Sequence, residues 1–227
     1  MSSQRLSAIF FALSFALSLS PVLHAAGSSG GGGGGSFSNS TSAINPERRS
    51  EQSLKAGIKQ RDKAHKQEAK AAAAKNDKVR DKALAKAQKY YARAVKKQGE
   101  ALKLNPRNYK AANELGYALR KTGDYRKAIG AYNYALELNP NFHKATEYRG
   151  EAFLALGMMK QTKQSYMILF RDDRELANQL MTVFDAWVIE LGDDMDEAQS
   201  TFAKWVEERK RMAKMTSDLS MNNTRTW

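Results

Sequence analysis

The sequence contains no cysteine. That excludes disulfides, thiol nucleophiles and Cys-ligated zinc or iron–sulfur centres. Histidine is nearly as scarce, at three residues in 227. His24, His65 and His143 form no H-x3-H or H-E-x-x-H pair, so no metal is predicted; His65 and His143 read as surface residues. No G-x-S-x-G elbow occurs, and the paired carboxylates fall on solvated helix faces or helix caps, so no catalytic constellation and no cofactor are predicted. After the first 26 residues no run is apolar enough to span a membrane.

What the sequence has is positive charge, unevenly spread. The formal net charge is +13. Residues 44–110 hold 20 Lys+Arg against 7 Asp+Glu, residues 111–170 hold 8 against 5, and residues 171–227 hold 8 against 12. The front half is basic, the middle near neutral and the end acidic. Glycine is also clustered: seven of 15 lie between Gly27 and Gly35. The stretch 27–45 has almost no side chain to bury and reads as a flexible linker. A G-x-G-x-x-G pattern fits inside it trivially, without the strand and helix a nucleotide site needs.

Residues 1–26 place Arg5 before the apolar run Leu6 to Leu19, then Pro21, then the small pair Ala25 and Ala26. This is the pattern of a cleaved secretory signal peptide, with the cut expected after Ala25 or Ala26. The run is shorter than the ~20 residues of a spanning helix. The expected location is therefore outside the cytoplasm: periplasmic in a diderm bacterium, secreted otherwise.

A period of 34 residues runs through the middle. Pro106 and Pro140, Gly116 and Gly150, Gly123 and Gly157, and Tyr132 and Tyr166 are each 34 apart, and ALKLNP returns as ALELNP. Tyr109 to Lys121 and Tyr125 to Leu138 show helical apolar spacing. Thr122-Gly123-Asp124 supplies a stop and a new cap, and Pro140 ends the second helix. One such hairpin cannot bury both faces and must stack on neighbours. With Ala112, Leu115, Gly116, Leu119, Ala128, Tyr132, Ala135 and Pro140 in place, the unit resembles the tetratricopeptide repeat family. The next unit keeps Gly150, Phe153, Gly157 and Tyr166 but has Arg149, Thr162 and Arg174 at motif positions. The preceding unit keeps only Ala94, Ala101 and Pro106, so residues 77–104 read either as a hairpin or as one continuous helix. The resemblance implies an all-α fold, a short α-solenoid of repeat hairpins over 77–173.

Around the repeats, residues 46–76 read as a basic Lys/Ala-rich helix, loosely packed or partly solvated, since sustained apolar heptads for a coiled coil are missing. Residues 174–215 read as capping helices. Leu176, Leu180, Phe184, Trp187 and Leu191 lie on one face of the first, and Ala198, Phe202, Trp205 and Met212 on one face of the second. Asp194 with Glu197 fits a capping box between them. The methionines from Met158 onward follow apolar faces and read as core or groove lining. Residues 216–227 read as a disordered tail.

The resemblance implies a non-enzymatic scaffold that binds a protein or peptide along the first helix of each repeat. The corresponding positions are Lys110, Asn113, Tyr117, Arg120 and Lys121, followed by Lys144, Glu147, Tyr148, Glu151 and Leu154. Tyr beside Lys, Arg and Asn offers stacking area and hydrogen-bond donors together. Asn113 and Tyr117 stand where the family's chaperone-binding carboxylate clamp needs Lys and Asn, so chaperone tails are not expected. The alternative is attachment of residues 44–110 to an anionic membrane surface or another polyanion. Nucleic acid is disfavoured, because only Tyr90, Tyr91 and Tyr109 could stack on bases there.

Overall fold

The computed structural model describes residues 45–223. The readings of a signal peptide at 1–26 and of a flexible linker over most of 27–45 lie outside the described residues. The eight described helices are α1 (Pro46–Ala72), α2 (Asp77–Leu104), α3 (Tyr109–Lys121), α4 (Tyr125–Leu138), α5 (His143–Ala155), α6 (Met159–Asp172), α7 (Arg174–Leu191) and α8 (Glu197–Asn223). No strand occurs among the described residues. Consecutive helices pair as α1–α2, α3–α4 and α5–α6, and α7 and α8 close the end. The fold is the all-α stack of hairpins expected from the 34-residue period.

Short polar residues set most of the helix starts. Asn45, Asn76, Asn108, Asp124 and Asp173 each accept a backbone N–H of the first turn, which satisfies a donor the helix itself cannot. The turns inside the two repeats are the same construction used twice. Gly123 has φ +86° and Gly157 has φ +69°, a backbone region that a side chain disfavours. Asp124 N–H then donates to Leu119 O at 2.9 Å, and Met158 N–H to Phe153 O at 2.9 Å, closing each helix in a Schellman-type turn.

The repeat cores depend on close approach. Tyr132 is fully buried against Gly116, where a Cβ would lie 2.6 Å from the ring. At Gly150 a Cβ would lie 2.9 Å from the Leu180 side chain and 3.1 Å from Ser165. The C-terminal core is aromatic. Tyr166, Phe184, Trp187 and Phe202 are buried and meet Trp205 and Phe170 at ring separations of 5.2 to 6.3 Å.

Of the two readings left open for residues 77–104, the structure has one unbroken helix, α2. Several other expectations are corrected. α1 is not loosely held. The boundary expected at 76/77 falls in the turn of a single long hairpin, so α1 acts as the first helix of the first pair. Its buried positions, Ser50, Leu54, Gly57, Ala64, Glu68 and Ala71, face Ala83, Ala87, Tyr91, Ala94, Gln98 and Ala101 of α2. The steps are three, four or seven residues, as in a coiled coil, but the seam is built from small and polar side chains. Gln98 lies over Gly57 and donates to Leu54 O at 3.3 Å, and Ser50 donates to Ala101 O at 2.8 Å. An apolar-heptad criterion passes over such a seam.

At the other end, the capping box is Asp196 with Gln199, not Asp194 with Glu197. Gln199 N–H donates to Asp196 Oδ1 at 2.8 Å, and Asp196 N–H to Gln199 Oε1 at 2.9 Å. Ala198 and Met212 are exposed instead of packed. α8 also runs through Asn223, beyond residue 215, where the tail was expected to begin. Residues 216–223 contain no Gly or Pro to stop it.

Gly116→Val drives a branched side chain into the Tyr132 ring. Stability is expected to fall by about 1–3 kcal/mol, the usual range for overpacking. Urea denaturation followed by circular dichroism measures it; an unchanged midpoint contradicts the close-approach account.

Candidate protein-interaction face

The first helices of successive hairpins, α1, α3, α5 and α7, are neighbours in turn. Along α3 the residues Lys110, Asn113, Glu114, Tyr117, Arg120 and Lys121 recur at steps of three and four and share one face. Along α5 the same rule groups Lys144, Glu147, Tyr148 and Glu151. α1 brings Arg61, His65 and Glu68 to this face, at the same helical step.

The side chains pair across the helices. From α1 to α3, Arg61 meets Glu114 at 2.6 Å, Glu68 meets Lys121 at 2.7 Å, and His65 Nε2 lies 2.8 Å from the Tyr117 hydroxyl. From α3 to α5, Arg120 pairs with Glu151. Its guanidinium also sits 5.2 Å from the Tyr117 and Tyr148 rings, within cation–π range. Within α5, Lys144 pairs with Glu147 at 3.0 Å, and it donates to Gln179 Oε1 of α7 at 3.0 Å. Tyr117 is the centre of the aromatic part. Its ring packs 5.0 Å from Tyr148, 5.7 Å from His65 and 6.3 Å from Tyr91. Tyr91 in turn donates to Glu68 Oε2 at 2.8 Å.

Four cations, Arg61, Arg120, Lys121 and Lys144, thus stand against four carboxylates, Glu68, Glu114, Glu147 and Glu151. Burial decides their electrostatics. Burial pushes the Glu147 carboxyl up to about 8, and Glu151 one turn away adds to the push against the opposing pull of Lys144. Burial also lowers Lys121, although Glu68 opposes it. Burial works against the Arg120 charge as well, but Glu151 and the surrounding tyrosines more than offset it and hold that guanidinium firmly protonated. Burial drives His65 down to about 4, so this ring is neutral near pH 7.

The predicted positions therefore separate into two groups. Asn113, Tyr117, Arg120, Lys121, Glu147, Glu151 and Leu154 are buried. They form the floor that ties the helices together. Lys110 is exposed, and Lys144 and Tyr148 are half-buried; these form the accessible rim. His65 is not a surface residue as expected, because the long α1 lies along α3 and carries it onto Tyr117. His143 is half-buried, 3.9 Å from Asp173. The sequence reading missed Arg61, Glu68, Tyr91 and Glu114. Their signal was the three-and-four spacing of Arg61, His65 and Glu68 in a helix read only for its lysines. Among the described residues no group of three or more His, Asp or Glu is placed to hold a metal ion.

Two outcomes are expected. Between about pH 4.5 and 8 the folded state holds a proton on Glu147 that the unfolded chain has released, so stability falls as pH rises through that window. His65 acts oppositely between about 4 and 6.5, where the unfolded chain takes up the proton first. Thermal melts from pH 6.5 to 8 isolate the Glu147 effect, and Glu147→Gln is expected to flatten that slope. Separately, Arg120→Met strands Glu151 and is expected to cost about 3–5 kcal/mol, while Arg120→Met combined with Glu151→Leu recovers much of it. Additive losses in chemical denaturation contradict the pairing.

Comparison with known proteins bears on residues 109–142, which match the tetratricopeptide repeat family model. That span is α3, α4 and the turn that follows. No curated protein matches the chain. Among solved structures, the NMR structure of the first TPR domain of the human RPAP3 protein aligns at 18% identity and TM-score 0.46, covering 65% of this chain and 98% of that one. Residues 109–142 are thus similar to one tetratricopeptide repeat unit, and helical hairpins stack on either side of it.

Proposed function

We propose that the protein is a non-enzymatic scaffold, exported from the cytoplasm, that holds another protein or peptide against the first helices of its repeats. The carrying observation is the continuous polar and aromatic face of α1, α3, α5 and α7, fixed in place by its own ion pairs. A face already ordered loses little side-chain entropy when a partner arrives. The buried floor is matched in charge, so it contributes shape and rigidity. Lys110, Lys144 and Tyr148, the accessible rim, are the groups placed to meet a partner. Export rests on the Arg5, Leu6–Leu19 and Ala25-Ala26 pattern. Among the described residues no helix is long and apolar enough to cross a membrane.

A second reading is favoured by the outward faces of α1 and α2. Lys59, Lys66, Lys70, Lys82, Lys86 and Lys96 are exposed there without an acidic partner among the described residues, which suits a loose electrostatic hold on an anionic surface.

Both parts of the proposal can be measured. Mass spectrometry of the protein recovered from the native host is expected to find a chain beginning at Ala26 or Gly27, outside the cytoplasm. An intact Met1 start in the cytoplasm removes export. Crosslinking in the native compartment, repeated with Lys110→Glu plus Lys144→Glu, is expected to lose the partner band. Retention of the band at full strength removes the inner face from the account.

A further inference from the structure

A second surface lies on the other side of α5. Arg149 and Phe153 each sit two residues beyond an inner-face residue, Glu147 and Glu151, and so point about 200° around the helix from them. With α6 and α8 they enclose an open groove of about 880 Å³. Its walls carry Arg149, Lys160, Lys163 and Arg209, and its apolar lining includes Phe153, Met167, Ile168 and Trp205. No acidic residue lines it.

The charge state here is the reverse of the inner face. There, each of the four cations has a carboxyl partner. Here none of the four cations has an ion pair among the described residues. Three of them rest on rings instead: Arg149 lies 5.7 Å from Phe153, Arg209 lies 5.7 Å from Trp205, and Lys163 lies 5.3 Å from Trp205. The Nε atoms of Arg149 and Arg209 are buried with no hydrogen-bond partner. Arg149 gives one Nη to Asn133 at 2.8 Å. Burial lowers its affinity for a proton, the mark of a desolvated guanidinium without an opposing anion.

We propose that this groove is a docking site for a short acidic peptide segment of another protein, one that carries an aromatic or aliphatic side chain between its carboxylates. Four uncompensated cations call for carboxylates, which arginine binds with two parallel hydrogen bonds. The Trp205, Phe153 and Met167 lining calls for an apolar side chain, and methionine adapts its shape to one. The groove is open along its length and its cations come from three helices, so it suits an extended segment better than a compact ligand, which a closed cavity would engulf. The occupant is not one of this sequence's own undescribed segments. Residues 1–44 and 224–227 contain no Asp or Glu, and their charged residues are Arg5 and Arg225. This surface stands independently of the inner-face proposal, because the two share no residue.

The test uses the full chain and a random heptapeptide library displayed on phage. Selection is made on the wild type and on Arg149→Gln/Lys163→Gln/Arg209→Gln, with Lys163→Gln alone as a milder variant should the triple variant fold poorly. Enriched peptides are expected to pair Asp or Glu with Phe, Trp or Leu. They are expected to bind the triple variant about 10-fold or more weakly, the loss of at least one charge-assisted contact, and the single variant measurably less well than wild type. Binding is expected to weaken with salt. Absence of enrichment, enrichment of peptides without acids, or equal affinity for wild type and Lys163→Gln overturns the proposal. Binding of phosphatidylglycerol vesicles that the groove variants reduce, without any acidic peptide, overturns it in favour of a lipid surface. Lys110→Glu plus Lys144→Glu is expected to leave peptide binding intact, which separates this site from the inner face.

Discussion

Charge removed from water must be matched, and that constraint organises the inner side of this protein. Arg120, Lys121, Glu68 and Glu151 are all nearly sealed from solvent, and the equally buried Glu147 avoids the charge by keeping its proton up to about pH 8. Each would be costly alone. They are tolerable because each helix supplies the counter-charge of the next: Glu68 of α1 for Lys121, and Glu151 of α5 for Arg120. The pairing fixes the register of α1 on α3 and of α3 on α5, since a shift by one turn would leave at least two charges stranded.

Tight approach makes such pairing reachable. Gly116 under Tyr132, Gly150 under Leu180 and Gly57 under Gln98 bring helix axes close enough for side chains to bridge. The α1–α2 hairpin extends the same principle over 27 and 28 residues, twice the length of the repeat helices. Its alanine-rich seam buries little area per residue, and the hydrogen bonds of Ser50, Gln98 and Tyr91 add directional contacts where bulk is lacking.

The two sides of α5 show what pairing does to function. Glu147 and Glu151 face an inner surface whose charges are matched internally, and that surface is rigid and near neutral. Arg149 faces a groove whose cations meet no carboxylate among the described residues. A matched surface offers shape to a partner, whereas an unmatched one offers charge. One helix thus separates two kinds of surface, and residues from the near-neutral middle and the acidic end of the sequence meet in a locally basic groove that their overall charge does not reveal.

The sequence by itself determined the helices and the repeat. Period 34, the glycines at 123 and 157, and the prolines at 106 and 140 act locally, through backbone conformation and capping, so their effect is legible in order along the chain. α3 to α6 follow from those signals and α7 from its own apolar spacing, while the face of Tyr117, Arg120 and Glu151 was expected from the repeat resemblance. Partnership across the chain was not legible. Nothing near Glu68 announces Lys121, 53 residues on, and nothing near Arg149 announces Trp205. The role of α1 was hidden because small and polar residues carry its seam, so a hydrophobic pattern does not register it. Which charges are buried, which are matched and which are left over depends on how the hairpins stack, because desolvation and ion pairing act through space. That was decided only by the tertiary structure.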